Sequence, residues 1–221
     1  MNVRRYLVCM SVVLLLVAGC TVVPETEPAP PAGGAETPDA TALATRRPPL
    51  TPCDVPAVAV PTPPATIPRY AQLDETTGLH VTGTAPEEVD LDAWRLTVDG
   101  AVATPLSLTY DELRCMARSE AEPVLVCPGF FEDTARWAGV PLRDVLEAAG
   151  APPSGVRVRF YGVDGYDQLM PIETAMASSA LVAYEWEGEP LPLIHGFPVR
   201  LVLPGNTGSL WVKWLYRIEV E

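Results

Sequence analysis

Pro141-Leu142-Arg143-Asp144-Val145-Leu146-Glu147-Ala148-Ala149-Gly150, followed by Val156-Arg157-Val158-Arg159-Phe160, holds the two patterns from which the fold can be read. Proline suits a helix start because the N–H it lacks would have no intrahelical partner there, and glycine suits the residue just past the last turn. The first segment therefore reads as a short helix ending at Gly150. In the second, Val156, Val158 and Phe160 alternate with two arginines, the period of a strand with one buried face. Outward from these, Thr109-Tyr110-Asp111-Glu112 matches a capping box and predicts a helix through about Met116. Trp94 to Val98 alternates as a strand, with Asp99-Gly100 as a hairpin signal. Pro123 to Cys127 reads as a short buried strand, and 181–186, 199–203 and 211–220 as three more. Many strands, a few short helices and no regular strand–helix alternation predict a β-rich mixed α+β domain over residues 70–221.

The 221-residue chain carries a net charge of −13 with only 15 Lys and Arg, which argues against a nucleic-acid binder. Residues 1–20 form an address rather than a fold: Arg4 and Arg5, a short apolar run from Val8 to Val17, then Val17-Ala18-Gly19-Cys20. The small residues before Cys20 resemble a bacterial lipobox, which implies cleavage there and lipidation of Cys20. The alternatives are an ordinary signal peptide or an uncleaved anchor. Arg4-Arg5 also resembles a twin-arginine export signal, a route for cargo already folded around a cofactor. Residues 21–69 hold about half of the chain's 25 prolines, without helical or strand periodicity, and are expected to form a disordered tether. The expected location is the cell envelope, outside the cytoplasm, on a lipid anchor.

Beyond Cys20, the cysteines are Cys53, Cys115 and Cys127. Cys53 and Cys115 could pair and pin the tether to the domain, or remain two free thiols. Cys127 precedes Pro128-Gly129, a turn that can present a side chain to a cleft, so it reads either as a small buried hydrophobe or as a thiolate ligand for a soft metal. His195 opens His195-Gly196-Phe197-Pro198-Val199-Arg200, and Lys213 is the only lysine in the chain. In so acidic a chain Arg200 and Lys213 are candidate anion holders, with His195 as an added donor. His80 reads as structural.

Cys127-Pro128-Gly129, the run Ala135 to Leu146, His195 to Arg200 and Val212-Lys213-Trp214-Leu215 occur in the order and spacing of the sulfite oxidase family. The stretch from Leu91 to Glu221 resembles that family's molybdopterin-binding domain, and so a β-rich fold of the sulfite oxidase type. The resemblance implies a molybdenum atom chelated by a pterin dithiolene, in the single-phosphate form, with Cys127 as a protein sulfur ligand and catalytic residue. It further implies that His195, Arg200 and Lys213 contact the pterin and its phosphate, and that Asp164 binds the pterin's polar edge. The implied reaction is two-electron oxygen-atom transfer.

Many relatives place arginines after the metal cysteine, where this chain has Phe130-Phe131-Glu132-Asp133. Carboxylates there would repel anionic sulfite, so a neutral substrate such as a sulfoxide fits better than a sulfite-like one. The expected partners are a separate electron carrier, a cytochrome or a membrane quinol-linked subunit, and the membrane through the lipid. A monomer is expected. The competing expectation is a cofactor-free interaction module on the same fold.

Overall fold

The computed structural model describes residues 53–83, 85–86 and 88–221. The export signal, Cys20 and the first part of the tether lie outside the described residues. Two five-stranded sheets organise the domain. The first contains β3 (Leu96–Gly100), β4 (Leu106–Leu108), β9 (Arg157–Gly162), β10 (Asp167–Pro171) and β14 (Leu215–Val220), in the order β10-β9-β14-β3-β4. Only the β14–β3 pairing in this sheet is parallel. The second contains β5 (Ser119–Ala121), β8 (Trp137–Pro141), β11 (Leu181–Trp186), β12 (Glu189–Pro190) and β13 (Arg200–Val202). There β13 pairs with Leu181 to Ala183 of β11, and β12 with Glu185 and Trp186.

Two small hairpins stand apart: β1 (Leu73–Asp74) with β2 (Leu79–His80), and β6 (Val124–Cys127) with β7 (Phe131–Thr134). Among the described residues there are three short α-helices, α1 (Tyr110–Arg114), α2 (Leu142–Ala148) and α3 (Ile172–Ala175), and two 3-10 turns, Leu193–His195 and Gly208–Leu210. The expected mixed α+β, β-rich architecture is present.

Alternation explains the main sheet. Val158 and Phe160 of β9 and Ile218 and Val220 of β14 are buried, while Arg159 on the other face pairs with Asp167 and Glu221. Leu142, Val145 and Leu146 place one face of α2 in the core. The capping box of α1 forms as its sequence requires, Thr109 Oγ1 accepting from Glu112 N at 3.2 Å and Glu112 Oε2 accepting from Thr109 N at 2.9 Å.

Three expectations need correction. The hairpin signalled at Asp99-Gly100 forms, Val98 pairing antiparallel with Leu106, but these two residues stay in β3 and the connection is longer than a two-residue turn. Gly100 is needed instead for close approach at φ +85°, where a Cβ would sit 2.2 Å from the Val220 carbonyl oxygen. The strand ending at Cys127 is partly exposed, since its only partners are β7 and an isolated bridge from Val126 to Thr207. The last strand starts at Leu215 rather than Trp211; Trp211 to Trp214 form an irregular buried loop whose side chains turn toward a cavity and the core.

Cys53 and Cys115 form a disulfide, Cα atoms 5.6 Å apart. From Cys53 to Arg69 the chain has no helix or strand, yet it is fastened to the domain. Val58 packs against the core, and Arg114 Nη1 donates to Pro56 O at 2.9 Å.

Candidate cofactor and metal site

A cavity of about 320 Å³ opens between the two hairpins, the turn after β9 and the loops flanking β13. All five candidate residues of the described region, Cys127, Asp164, His195, Arg200 and Lys213, line it. They come from distant parts of the chain, so the cavity exists only once both sheets are assembled.

Cys127 ends β6 opposite Phe131, and the intervening turn is closed by Phe130 N donating to Cys127 O at 3.0 Å, with Gly129 at φ +80°. With Cys53 and Cys115 bonded to each other, Cys127 is the only free thiol among the described residues.

Arg200, on β13, is 4% exposed. Its Nη1 donates to His195 O at 3.0 Å, and its guanidinium lies 4.7 Å from the Trp137 ring centroid and 5.9 Å from that of Trp211. Lys213 Nζ donates to the backbone oxygens of Thr82 and, at 3.0 Å, Ile194, and stands 4.5 Å from the Trp214 ring. Neither cation is in an ion pair among the described residues. Burial lowers the pKa of Lys213 to about 7, with Arg200 adding repulsion. Burial likewise lowers that of Arg200, which still stays protonated at neutral pH. Unpaired buried cations are costly unless a ligand neutralises them.

Gly196 makes the cluster possible. It holds φ +118°, and a Cβ there would meet Arg200 Cβ at 3.0 Å and Lys213 Cβ at 3.3 Å. Trp214 also adopts a left-handed backbone, φ +50°, anchored by its indole N–H on Leu193 O at 2.7 Å. His195 is 2% exposed, with Nε2 at 2.9 Å from Thr77 Oγ1 and 3.2 Å from Asp74 Oδ2. Its burial, with repulsion from Lys213 and Arg200, lowers its pKa to about 4, so the ring is neutral at pH 7. Asp164 lies in the turn between β9 and β10, where its Oδ1 accepts from Tyr166 N at 3.1 Å.

The sequence reading missed two contributors, His80 and Asp74, and the pairing of His80 with Asp133. His80, taken as structural, lines the cavity; its Nδ1 lies 2.7 Å from Asp133 Oδ1, and its ring stacks on Phe131 at 4.4 Å. Asp133 is itself buried and also accepts from His80 N at 2.8 Å. Asp74, buried and with Oδ2 at 3.2 Å from His195 Nε2, is the second. The Asp133 pairing is invisible in sequence because its partner lies 53 residues away.

The donor set fits a molybdenum–pterin group. Among the described residues no three His, Cys, Asp or Glu side chains cluster into a protein-only metal site. Cys127 therefore suits a metal that brings other ligands with it, and the two unpaired cations suit a phosphate.

The comparisons with known proteins agree. The family model of the oxidoreductase molybdopterin binding domain matches residues 82–221. Mitochondrial sulfite oxidase of Homo sapiens is 38% identical over 163 residues, covering 60% of this chain and 30% of that protein. This chain thus spans about a third of the length of the sulfite oxidases it matches, 30% of the human and 36% of the Gallus gallus protein. The uncharacterized oxidoreductase YuiH of Bacillus subtilis (strain 168) is 32% identical over 139 residues, covering 62% of this chain and 70% of that one. In fold, the chain is similar to the sulfane dehydrogenase SoxCD of Paracoccus pantotrophus, with TM-score 0.58, 23% identity, and coverage of 89% of this chain and 56% of the other. The chain belongs to the oxidoreductase molybdopterin-binding family, of the sulfite oxidase type, and its cofactor is molybdopterin.

Proposed function

We propose that this protein is a molybdopterin-dependent oxidoreductase in which the Cys127 thiolate ligates molybdenum and Arg200 and Lys213 hold the pterin phosphate. The supporting observation is a single cavity that collects the only free thiol of the described residues and two buried cations that make no direct ion pair among those residues, with Asp133 and Asp164 acting on them only at longer range. When bound, the cofactor supplies two-electron chemistry that moves an oxygen atom to or from a substrate.

The chain's own residues bind and orient. Arg200 offers a planar fork suited to phosphate, kept in place by Trp137 and Trp211. Lys213 adds a point charge, and Asp164 an acceptor for pterin N–H groups. Thiolate sulfur is the soft, electron-donating ligand that such a metal favours.

The substrate we propose is small and neutral, of the sulfoxide type, rather than sulfite. Asp133 puts a buried carboxylate on the cavity wall, which disfavours a dianion. Phe131, Tyr70 and Tyr166 give that wall apolar surface, and Tyr70 packs edge-on against the exposed Phe130 at 5.9 Å. Electrons would pass to or from a separate carrier, a cytochrome or a membrane quinol-linked subunit. We further propose a lipid anchor at Cys20 that holds a monomer in the cell envelope. The Cys53–Cys115 disulfide supports an oxidising compartment.

The test is metal analysis of the full chain purified from a host that makes molybdopterin. Stoichiometric molybdenum, lost in Cys127→Ser with the fold retained, is the expected result. Metal-free wild-type protein, or full metal content in Cys127→Ser, overturns the proposal.

A further inference from the structure

We infer that Asp74 and Thr77, in the β1–β2 hairpin, are positioning residues that lock His195 with its proton on Nε2, so that Nδ1 is a hydrogen-bond acceptor for an N–H of the pterin. This rests on the cofactor-site reading above, and departs from the expectation that His195 donates to phosphate.

Thr77 has one hydroxyl proton, which it donates to Asp74 Oδ2 at 2.8 Å. Its oxygen can then only accept, and it lies 2.9 Å from His195 Nε2. Asp74 Oδ2, 3.2 Å from the same nitrogen, is an acceptor as well. Two acceptors facing Nε2 require an N–H there. Asp74 is fixed in turn by Thr76 N, which donates to its Oδ1 at 3.1 Å. Burial raises the Asp74 pKa, but the bonds from Thr77, Thr76 and His195 outweigh it and keep the carboxylate ionised.

A neutral imidazole with its proton on Nε2 has a bare lone pair on Nδ1. The low pKa of His195, from burial and the nearby Lys213 and Arg200, keeps the ring in that state at pH 7. Among the described residues the only buried side-chain nitrogens or oxygens without a partner are the indole nitrogens of Trp94 and Trp186. Nδ1 has no partner either, yet is not one of these, so it is accessible, in a residue that lines the cavity. A phosphate oxygen offers it no proton, whereas a pterin ring or amide N–H does. The division of labour follows: the cations hold the tail and His195 reads the ring.

The hairpin lies ahead of the region matched by the family model, which begins at residue 82, yet it supplies both groups that set the tautomer. Partners that orient a ligating histidine through its other nitrogen act in the same way in metal sites.

The full chain has only two histidines, so ¹⁵N-histidine NMR of the cofactor-free protein resolves His195 from His80 with the help of His80→Gln. The expected spectrum at pH 7 shows protonated Nε2 and bare Nδ1 for His195. Asp74→Asn and Thr77→Val should each admit the other tautomer and lower molybdenum retention by about 10–100-fold, the usual cost of losing an orienting partner. Thr77→Ser should restore both. An Nδ1–H tautomer in the wild type, or wild-type tautomer and metal retention in both variants, overturns the inference. A wild type that binds no molybdenum in any host instead overturns the cofactor-site reading, so the two failures are distinguishable.

Discussion

Replacing Arg200 with methionine should move cofactor-free stability and cofactor retention in opposite directions. The guanidinium is buried, bonded to the backbone oxygens of His195 at 3.0 Å and Leu201 at 3.5 Å and flanked by two indoles, with no ion pair among the described residues. Burial pulls its pKa well below the ordinary arginine range, to about 9. That is a disadvantage of about 5 kcal/mol for the charged form at neutral pH, at roughly 1.4 kcal/mol per pH unit. Methionine keeps much of the packing and removes the charge, so the cofactor-free protein should gain about 1–4 kcal/mol, as when buried ions give way to apolar residues. In a domain of this size that is a rise in Tm of about 3–10 °C. If Arg200 holds the phosphate as proposed, the same change deletes two charge-assisted bonds, about 1.5–3 kcal/mol each, and should weaken cofactor retention by about 100-fold or more. Melting curves from a host lacking molybdopterin and molybdenum content from a host making it are the two assays. A variant destabilised by more than about 2 kcal/mol would make Arg200 a structural cation, and unchanged molybdenum content would refute its phosphate role.

The remaining predictions concern pH, the disulfide and the anchor. Unfolded His195 titrates near 6.5 and folded His195 at about 4. Between these values the unfolded state holds more protons, so stability falls on acidification from pH 6.5 toward 4, by about 3 kcal/mol. Urea titrations should show this in the cofactor-free protein, and His195→Gln should flatten it. Asp74, with its lowered pKa, adds a further loss only as pH falls through the range below 3.8. Cys53→Ser opens a loop with a sequence separation of 62 and should cost up to about 4 kcal/mol by loop entropy; a Tm unchanged in the variant would contradict that. Cys20→Ala should release the protein from the membrane fraction, and its retention there would point to an uncleaved anchor.

Local chemistry made much of the fold legible. The Thr109–Glu112 capping box, the helix between Pro141 and Gly150, and the alternation of Arg157 to Phe160 each depend on neighbours a few residues apart, and each formed near where it was read. The thiol, imidazole, guanidinium and ammonium of the site were legible too, because Cys127, His195, Arg200 and Lys213 sit in motifs constrained by adjacent Gly, Pro and Trp. Two local readings needed correction for a tertiary reason. Asp99-Gly100 has turn chemistry, but β14 approaches Gly100 too closely for any side chain, which keeps it in the sheet. Trp211 to Trp214 has strand composition, but Lys213 is drawn to the Thr82 and Ile194 carbonyls and Trp214 to Leu193.

What sequence alone determined here is which reactive groups exist and which short elements carry them. Tertiary structure decided their partners: His80 with Asp133 across 53 residues, and His195 with Asp74 across 121. It also decided which cations would be left without one. Partner choice over such separations depends on burial and on the path of the backbone, and neither is encoded in any window of adjacent residues. The proton on His195 Nε2 follows from a hairpin more than a hundred positions away, and only the folded chain brings the two together.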